Sequence, residues 1–118
     1  MTAATKTFFD AWGMADADAQ RAVIGQSVTR DATYADPRLD TPLVGPDAIA
    51  AYVAMFAAAA PGAVADVVNE TSRIGVTRVT IAFRMADGKE QLGQYFVEHT
   101  PDGMISRMVG FVGTGEPV

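Results

Sequence analysis

Cysteine is absent from the 118-residue chain, which excludes disulfides, thiolate metal sites and cysteine nucleophiles. Histidine occurs once, so no multi-histidine metal site can form within one chain. Positive charge is scarce: 9 Lys and Arg stand against 14 Asp and Glu, a formal net charge of −5. Nucleic acid and anionic membrane surfaces require a basic footprint, so neither is expected as a partner. Long hydrophobic runs are missing too. The longest, Ile49 to Ala60, is about 12 residues, short of the roughly 18 that a spanning helix needs. Met1 to Asp10 lacks the apolar core and cleavage site of a secretory signal, and a cytoplasmic location is the expectation.

What is present describes a globular chain. Hydrophobic residues make up 49% and charged residues 19%, too apolar for disorder. The length suits one domain with one core. Neither repeats nor linkers interrupt it, and its character changes once, near residue 61, from helical to strand-like patterning.

Phe8, Phe9 and Trp12 fall on one face of a short helix that Gly13 weakens. Asp16 or Asp18 can cap a second helix over Ala19 to Ile24, with Gly25 as its stop. Thr33 to Asp36 reads as a short strand with Tyr34 and Asp36 on one face, closed by Pro37. Arg38 to Val44 reads as a loop. Gly45-Pro46-Asp47 opens the clearest helix, with Ile49, Tyr52, Val53 and Phe56 as an apolar stripe, and Pro61-Gly62 ends it.

Four strands are then expected: Ala63 to Thr71, Ile74 to Met85, Lys89 to His99 and Met104 to Val112. Asp87-Gly88 reads as a primed hairpin turn and Pro101-Asp102-Gly103 as another turn. Val79, Ile81, Phe83 and Met85 share one face; Tyr95, Val97 and His99 share another, opposite Gln94, Phe96 and Glu98. Helices followed by antiparallel strands predict a segregated α+β domain. Both sheet faces carry apolar residues, Ile74 and Val76 on the outer one, so a homodimer through that face is expected.

The order helix, helix, Asp31-Ala32-Thr33-Tyr34-Ala35-Asp36-Pro37, Gly45-Pro46-Asp47-Ala48-Ile49, Pro61-Gly62 and four strands resembles a known family. So does the ending, Asp102-Gly103-Met104-Ile105 with Val109-Gly110-Phe111-Val112-Gly113. The likeness is to the SnoaL-like and ketosteroid-isomerase-like branch of the nuclear-transport-factor-two-like superfamily. It runs from about Phe8 to Gly113 and takes the chain as a single domain. It implies a cone-shaped α+β barrel: a curved antiparallel sheet wrapped on three helices, with an apolar pocket open at one end. Function does not follow from this fold, which hosts isomerases, cyclases, epoxide hydrolases, dehydratases and non-catalytic binders.

In isomerase-like members the aspartate of the Asp-Pro pair is the general base, and Asp36 matches it. A carboxylate facing an apolar cavity has its charged form disfavoured, which brings its basicity nearer working pH. A turn aspartate before proline is the plainer alternative. A base needs a partner that donates to the developing oxyanion. The family's tyrosine position on the first helix falls on Phe8 or Phe9, which cannot donate. Its acidic donor position falls on Tyr95 or, with one residue of slack, on Gln94, and both can donate.

Tyr34 shares a face with Asp36, and Tyr52 matches an aromatic pocket position on the third helix. Both also suit core packing. Trp12, Phe83, Val97 and Met108 complete the expected apolar lining. His99 is either a rim residue or a proton shuttle. Arg38 and Asp40 follow the first strand, but a water-activating Asp–Arg–Asp set lacks its second carboxylate.

Two function classes follow. One is a cofactor-independent, metal-free acid–base enzyme (isomerase, cyclase or dehydratase) acting on a small apolar carbonyl compound. The other is a non-catalytic ligand-binding or dimerisation module. Asp36 facing an enclosed pocket, with Tyr34, Tyr95 or Gln94 within hydrogen-bond reach of one ligand, favours the first; a pocket filled by Phe8, Trp12, Tyr52 and Met108 favours the second.

Overall fold

A computed structural model of the chain describes residues 3–116. Three helices and six strands succeed one another as α1 (Ala3–Asp10), α2 (Ala17–Ser27), β1 (Val28–Ala35), β2 (Leu43–Val44), α3 (Pro46–Ala59), β3 (Val64–Arg73), β4 (Val76–Arg84), β5 (Glu90–His99) and β6 (Ile105–Val112). A 3-10 turn over Ala11–Gly13 joins α1 to the segment before α2. The helices pack on one face of a single sheet of order β2-β1-β6-β5-β4-β3.

The α+β class expected from the sequence is the one observed, with two corrections to the sheet. β1 pairs parallel with β6, Tyr34 opposite Met108, so the sheet is mixed and not purely antiparallel. It also stays open, with β2 and β3 as its edges, so the curved cone does not close into a barrel. The antiparallel expectation rested on short connections between neighbours. β1 instead finds its partner across the whole chain, through a connection that contains α3.

Element bounds also shift. α2 runs through Gly25, which has open space around it and needs no positive φ, and continues to Ser27. Asp16 is its cap, accepting from the Asp18 amide at 3.0 Å. β1 begins at Val28, five residues before the expected start, and Leu43–Val44 of the expected loop forms the edge strand β2. The primed turn lies not at Asp87-Gly88 but at Ile74-Gly75, where φ is +49° and +79° between paired Arg73 and Val76. At the β4–β5 connection only Gly88 has positive φ, and Gly88 N–H donates to Met85 C=O, a three-residue hairpin.

The core lies between helices and sheet. Phe8 and Phe9 from α1, Ile24 from α2, and Ile49 and Val53 from α3 meet Val79, Ile81, Tyr95, Val97, Ile105 and Met108 from the strands. Alternation puts the odd-numbered residues of β5 inward, as expected for Tyr95 and Val97. Gln20, buried on α2, donates to the Ala11 carbonyl at 2.9 Å and so anchors the 3-10 turn that carries Trp12. Among the described residues no helix is long and apolar enough to cross a membrane.

Candidate active site

Asp36 stands one residue beyond β1, where Pro37 turns the chain away from the sheet. Its Oδ1 accepts from the Arg38 backbone N–H at 2.9 Å, an Asx turn that fixes the carboxylate's orientation. Its Oδ2 accepts from the Tyr52 hydroxyl at 2.6 Å and the Tyr34 hydroxyl at 2.9 Å. The Tyr34 hydroxyl is also 2.7 Å from that of Tyr95. Three elements therefore converge on one carboxylate: Tyr34 from β1, Tyr52 from α3 and, through Tyr34, Tyr95 from β5.

The direction of these bonds follows from donor counting. An ionised carboxylate can only accept, and each phenol has one proton. Tyr34 and Tyr52 commit theirs to Asp36. Tyr95 must then donate to Tyr34. Burial raises the pKa of all three phenols above the ordinary 10.0, and the Asp36 charge raises each further. For Tyr95 the Tyr34 hydrogen bond opposes that rise, and for Tyr52 the Arg38 charge does. Phenols in this state stay protonated and act as donors.

A cavity of about 100 Å³ opens beside this network. Asp36, Arg38, Tyr52, Tyr95, Trp12 and Phe83 are on its wall, with Phe56 and Met85. Trp12 packs at the centre of the aromatic cluster, its ring 5.0 Å from Phe56 and 5.6 Å from Phe83 between centroids. Its indole N–H is buried and has no hydrogen-bond partner among the described residues. Two inward-facing glycines shape the far wall. A Cβ on Gly110 would lie 2.6 Å from Cε2 of Tyr95, its cross-strand partner, so the ring occupies the space a side chain would need. Gly93 leaves room beside Phe83.

The structure thus brings together Asp36, Tyr34, Tyr52, Tyr95, Trp12 and Phe83 of the expected site. Tyr34 is fully buried and off the cavity wall. Gln94 is a correction: it faces the opposite side of the sheet and donates to the Thr80 hydroxyl at 3.3 Å. The one-residue slack that admitted it would have turned every β5 side chain over. Val97 and Met108 pair across β5 and β6 within the core and do not line the cavity. His99 is away from it as well, its Nε2 3.1 Å from the Thr5 hydroxyl on α1, where burial lowers its pKa below the ordinary 6.5. Among the described residues no three of His, Cys, Asp or Glu gather to hold a metal ion.

The sequence matches no protein-family model and no curated protein. Solved structures do match. A SnoaL-like isomerase candidate from Agrobacterium tumefaciens superposes with a TM-score of 0.83 at 24% identity, over 94% of this chain and 95% of that one. The fold is the SnoaL-like, ketosteroid-isomerase-like one. A polyketide cyclase candidate from Sinorhizobium meliloti follows at 0.74 and 21% identity, over 93% and 94% of the two chains. A ketosteroid-isomerase-like protein from Catenulispora acidiphila, solved with trimethylamine, gives 0.77 at 11% identity, over 94% and 85%. At such identities the likeness speaks for the fold, and chemistry has to come from the residues.

Proposed function

We propose that the protein is a cofactor-independent acid–base enzyme of the cytoplasm that moves a proton next to the carbonyl of a small apolar compound, with Asp36 as general base. The observation that carries this is the Asp36 carboxylate on the wall of an aromatic-lined cavity, held in place by Arg38 N–H, Tyr34 and Tyr52. Oδ2 has both lone pairs engaged, whereas Oδ1 has one left to take a proton. In the step, a C–H bond next to the carbonyl breaks and its proton passes to Asp36. The electron pair enters the carbonyl as an enolate, and reprotonation at the same or a conjugated carbon returns Asp36 to its anion. The cavity is small beside the roughly 300 Å³ at which drug-sized pockets begin, which favours a compact substrate, or one that protrudes from the mouth.

Deuterium exchange into the α-positions of a panel of small cyclic ketones tests this reading. Asp36→Asn keeps the shape and removes the base, so exchange should fall by at least roughly a hundredfold. Wild-type exchange no faster than buffer, or exchange unchanged in the variant, would refute the enzyme.

A second reading has its own support. Phe8, Trp12 and Met108 are buried in the core, and every tyrosine hydroxyl near the cavity is already paired. A module that binds a small ligand without turnover would look the same at rest. It would bind compounds of the panel and exchange nothing.

A further inference from the structure

We infer that Tyr52 is the donor to the substrate's oxygen, held by Asp36 while Asp36 is an anion and released when Asp36 is neutralised. This rests on the proposed proton transfer at Asp36 and adds the missing oxyanion partner.

At rest, no phenol near the cavity has a proton to offer, since Tyr34 and Tyr52 donate to Asp36 and Tyr95 donates to Tyr34. Moving a proton from the substrate carbon to Asp36 moves the negative charge the other way, onto the substrate oxygen. A hydroxyl donates more strongly to an anion than to a neutral acid. Turning one phenolic O–H about its C–O bond then transfers its hydrogen bond from Asp36 to the enolate. The same donor serves the charge in both places.

Position decides between the two phenols on the wall. Tyr52 is bonded directly to Asp36 Oδ2 at 2.6 Å and is only half-buried. Tyr95 is almost fully buried, and its proton is committed to Tyr34, so neutralising Asp36 reaches it only through a second hydroxyl. Tyr95 and Tyr34 are positioning residues in this scheme, holding the other side of Oδ2. Arg38, near Tyr52 on the same wall, adds a positive charge where the oxyanion develops.

Asp36→Asn goes a step beyond protonation at Oδ1, removing the acceptor that faces Tyr52 as well as the charge. The Arg38 N–H demands an acceptor at the δ1 position, which places the amide nitrogen toward Tyr34 and Tyr52. That nitrogen can only donate, so the Tyr52 proton is freed.

The test is the binding of cyclohexanone and of methylenecyclohexane, which has the same shape without the acceptor, followed by NMR titration. Four proteins are compared: wild type, Asp36→Asn, Tyr52→Phe and the double variant. Asp36→Asn should bind the ketone about two- to tenfold tighter than wild type, the net worth of one hydrogen bond. The gain should vanish in the double variant and be absent for the hydrocarbon. Trp12 N–H does not depend on Asp36, so it cancels in the comparison. A ketone gain that survives loss of the Tyr52 hydroxyl, one shared by the hydrocarbon, no gain at all, or no ketone binding by any protein would each overturn the assignment. Should Asp36→Asn fail to fold, Tyr52→Phe in the deuterium-exchange assay decides: loss of the donor should slow exchange about a hundredfold, and an unchanged rate would contradict the scheme. The cycle reads binding alone, so a protein that bound in this pattern but exchanged no deuterium would sink the enzyme and leave the Tyr52 switch standing.

Discussion

Gly110 matters for what it lacks. Its cross-strand partner Tyr95 lays its ring where a Cβ would stand, with Cε2 at 2.6 Å and Cζ at 2.9 Å. Gly110→Ala should therefore push the ring off β6, break the 2.7 Å contact with Tyr34 and cost about 1–3 kcal/mol in urea denaturation, as overpacking does. A neutral result would mean that the ring is placed elsewhere. Gly110 shows why single residues were unevenly legible in the sequence. Asp36 is announced by the following proline, and Tyr34 by parity with it. Gly110 becomes significant only through a partner 15 residues away on another strand, which one-dimensional spacing does not reveal. Arg38 reads as an ordinary loop residue, because nothing local shows that the loop folds back over the cavity. Gln94 and Tyr95 are equivalent in composition terms, and only the register of β5 against β4 and β6 separates them.

Elements were legible where their signals are local. The Pro46 start and apolar stripe of α3 survive intact, and so do the turns at Pro61-Gly62 and Pro101-Asp102-Gly103. The β3–β4 turn was concealed because its first central residue is isoleucine, a β-branched residue that resists positive φ. Ile74 is 96% exposed, so nothing in the packing repays that conformation. Asn tolerates it and precedes glycine in favoured primed turns. Ile74→Asn should raise stability by about 1 kcal/mol, the lower end of what a left-handed residue costs. A lower urea midpoint would show that the turn is not primed. The first half of β1 was missed for a related reason: Thr29, Arg30 and Asp31 carry no apolar alternation and lie at the irregularity between the Val28–Ile105 and Thr33–Arg107 pairs of β1 and β6.

At the scale of the whole molecule, the sheet's outer face keeps apolar side chains in water. Phe96 and Phe111 pack edge to face there at 5.7 Å while each remains over 40% exposed, and Val76 is exposed beside them. Ile74, expected on this face, is instead at a turn tip. We propose a homodimer through the Phe96–Phe111 patch. Light scattering should give twice the chain mass at micromolar concentration, and Phe96→Glu should return it to the monomer; a monomeric wild type would refute the interface. Phe111 belongs to the cavity lining as well, so the patch and the site adjoin there. The chain has three tyrosines, and Tyr34, Tyr52 and Tyr95 are all of them, so the ultraviolet absorbance of the entire protein on alkaline titration reports the Asp36 network alone. The account predicts that none ionises near the ordinary 10.0 while the protein is folded. It also predicts an earlier onset in Asp36→Asn, still above 10.0, because burial is the larger cause and the carboxylate charge a smaller one. A phenol titrating at its ordinary value in the folded wild type, or an onset indifferent to Asp36, would contradict it.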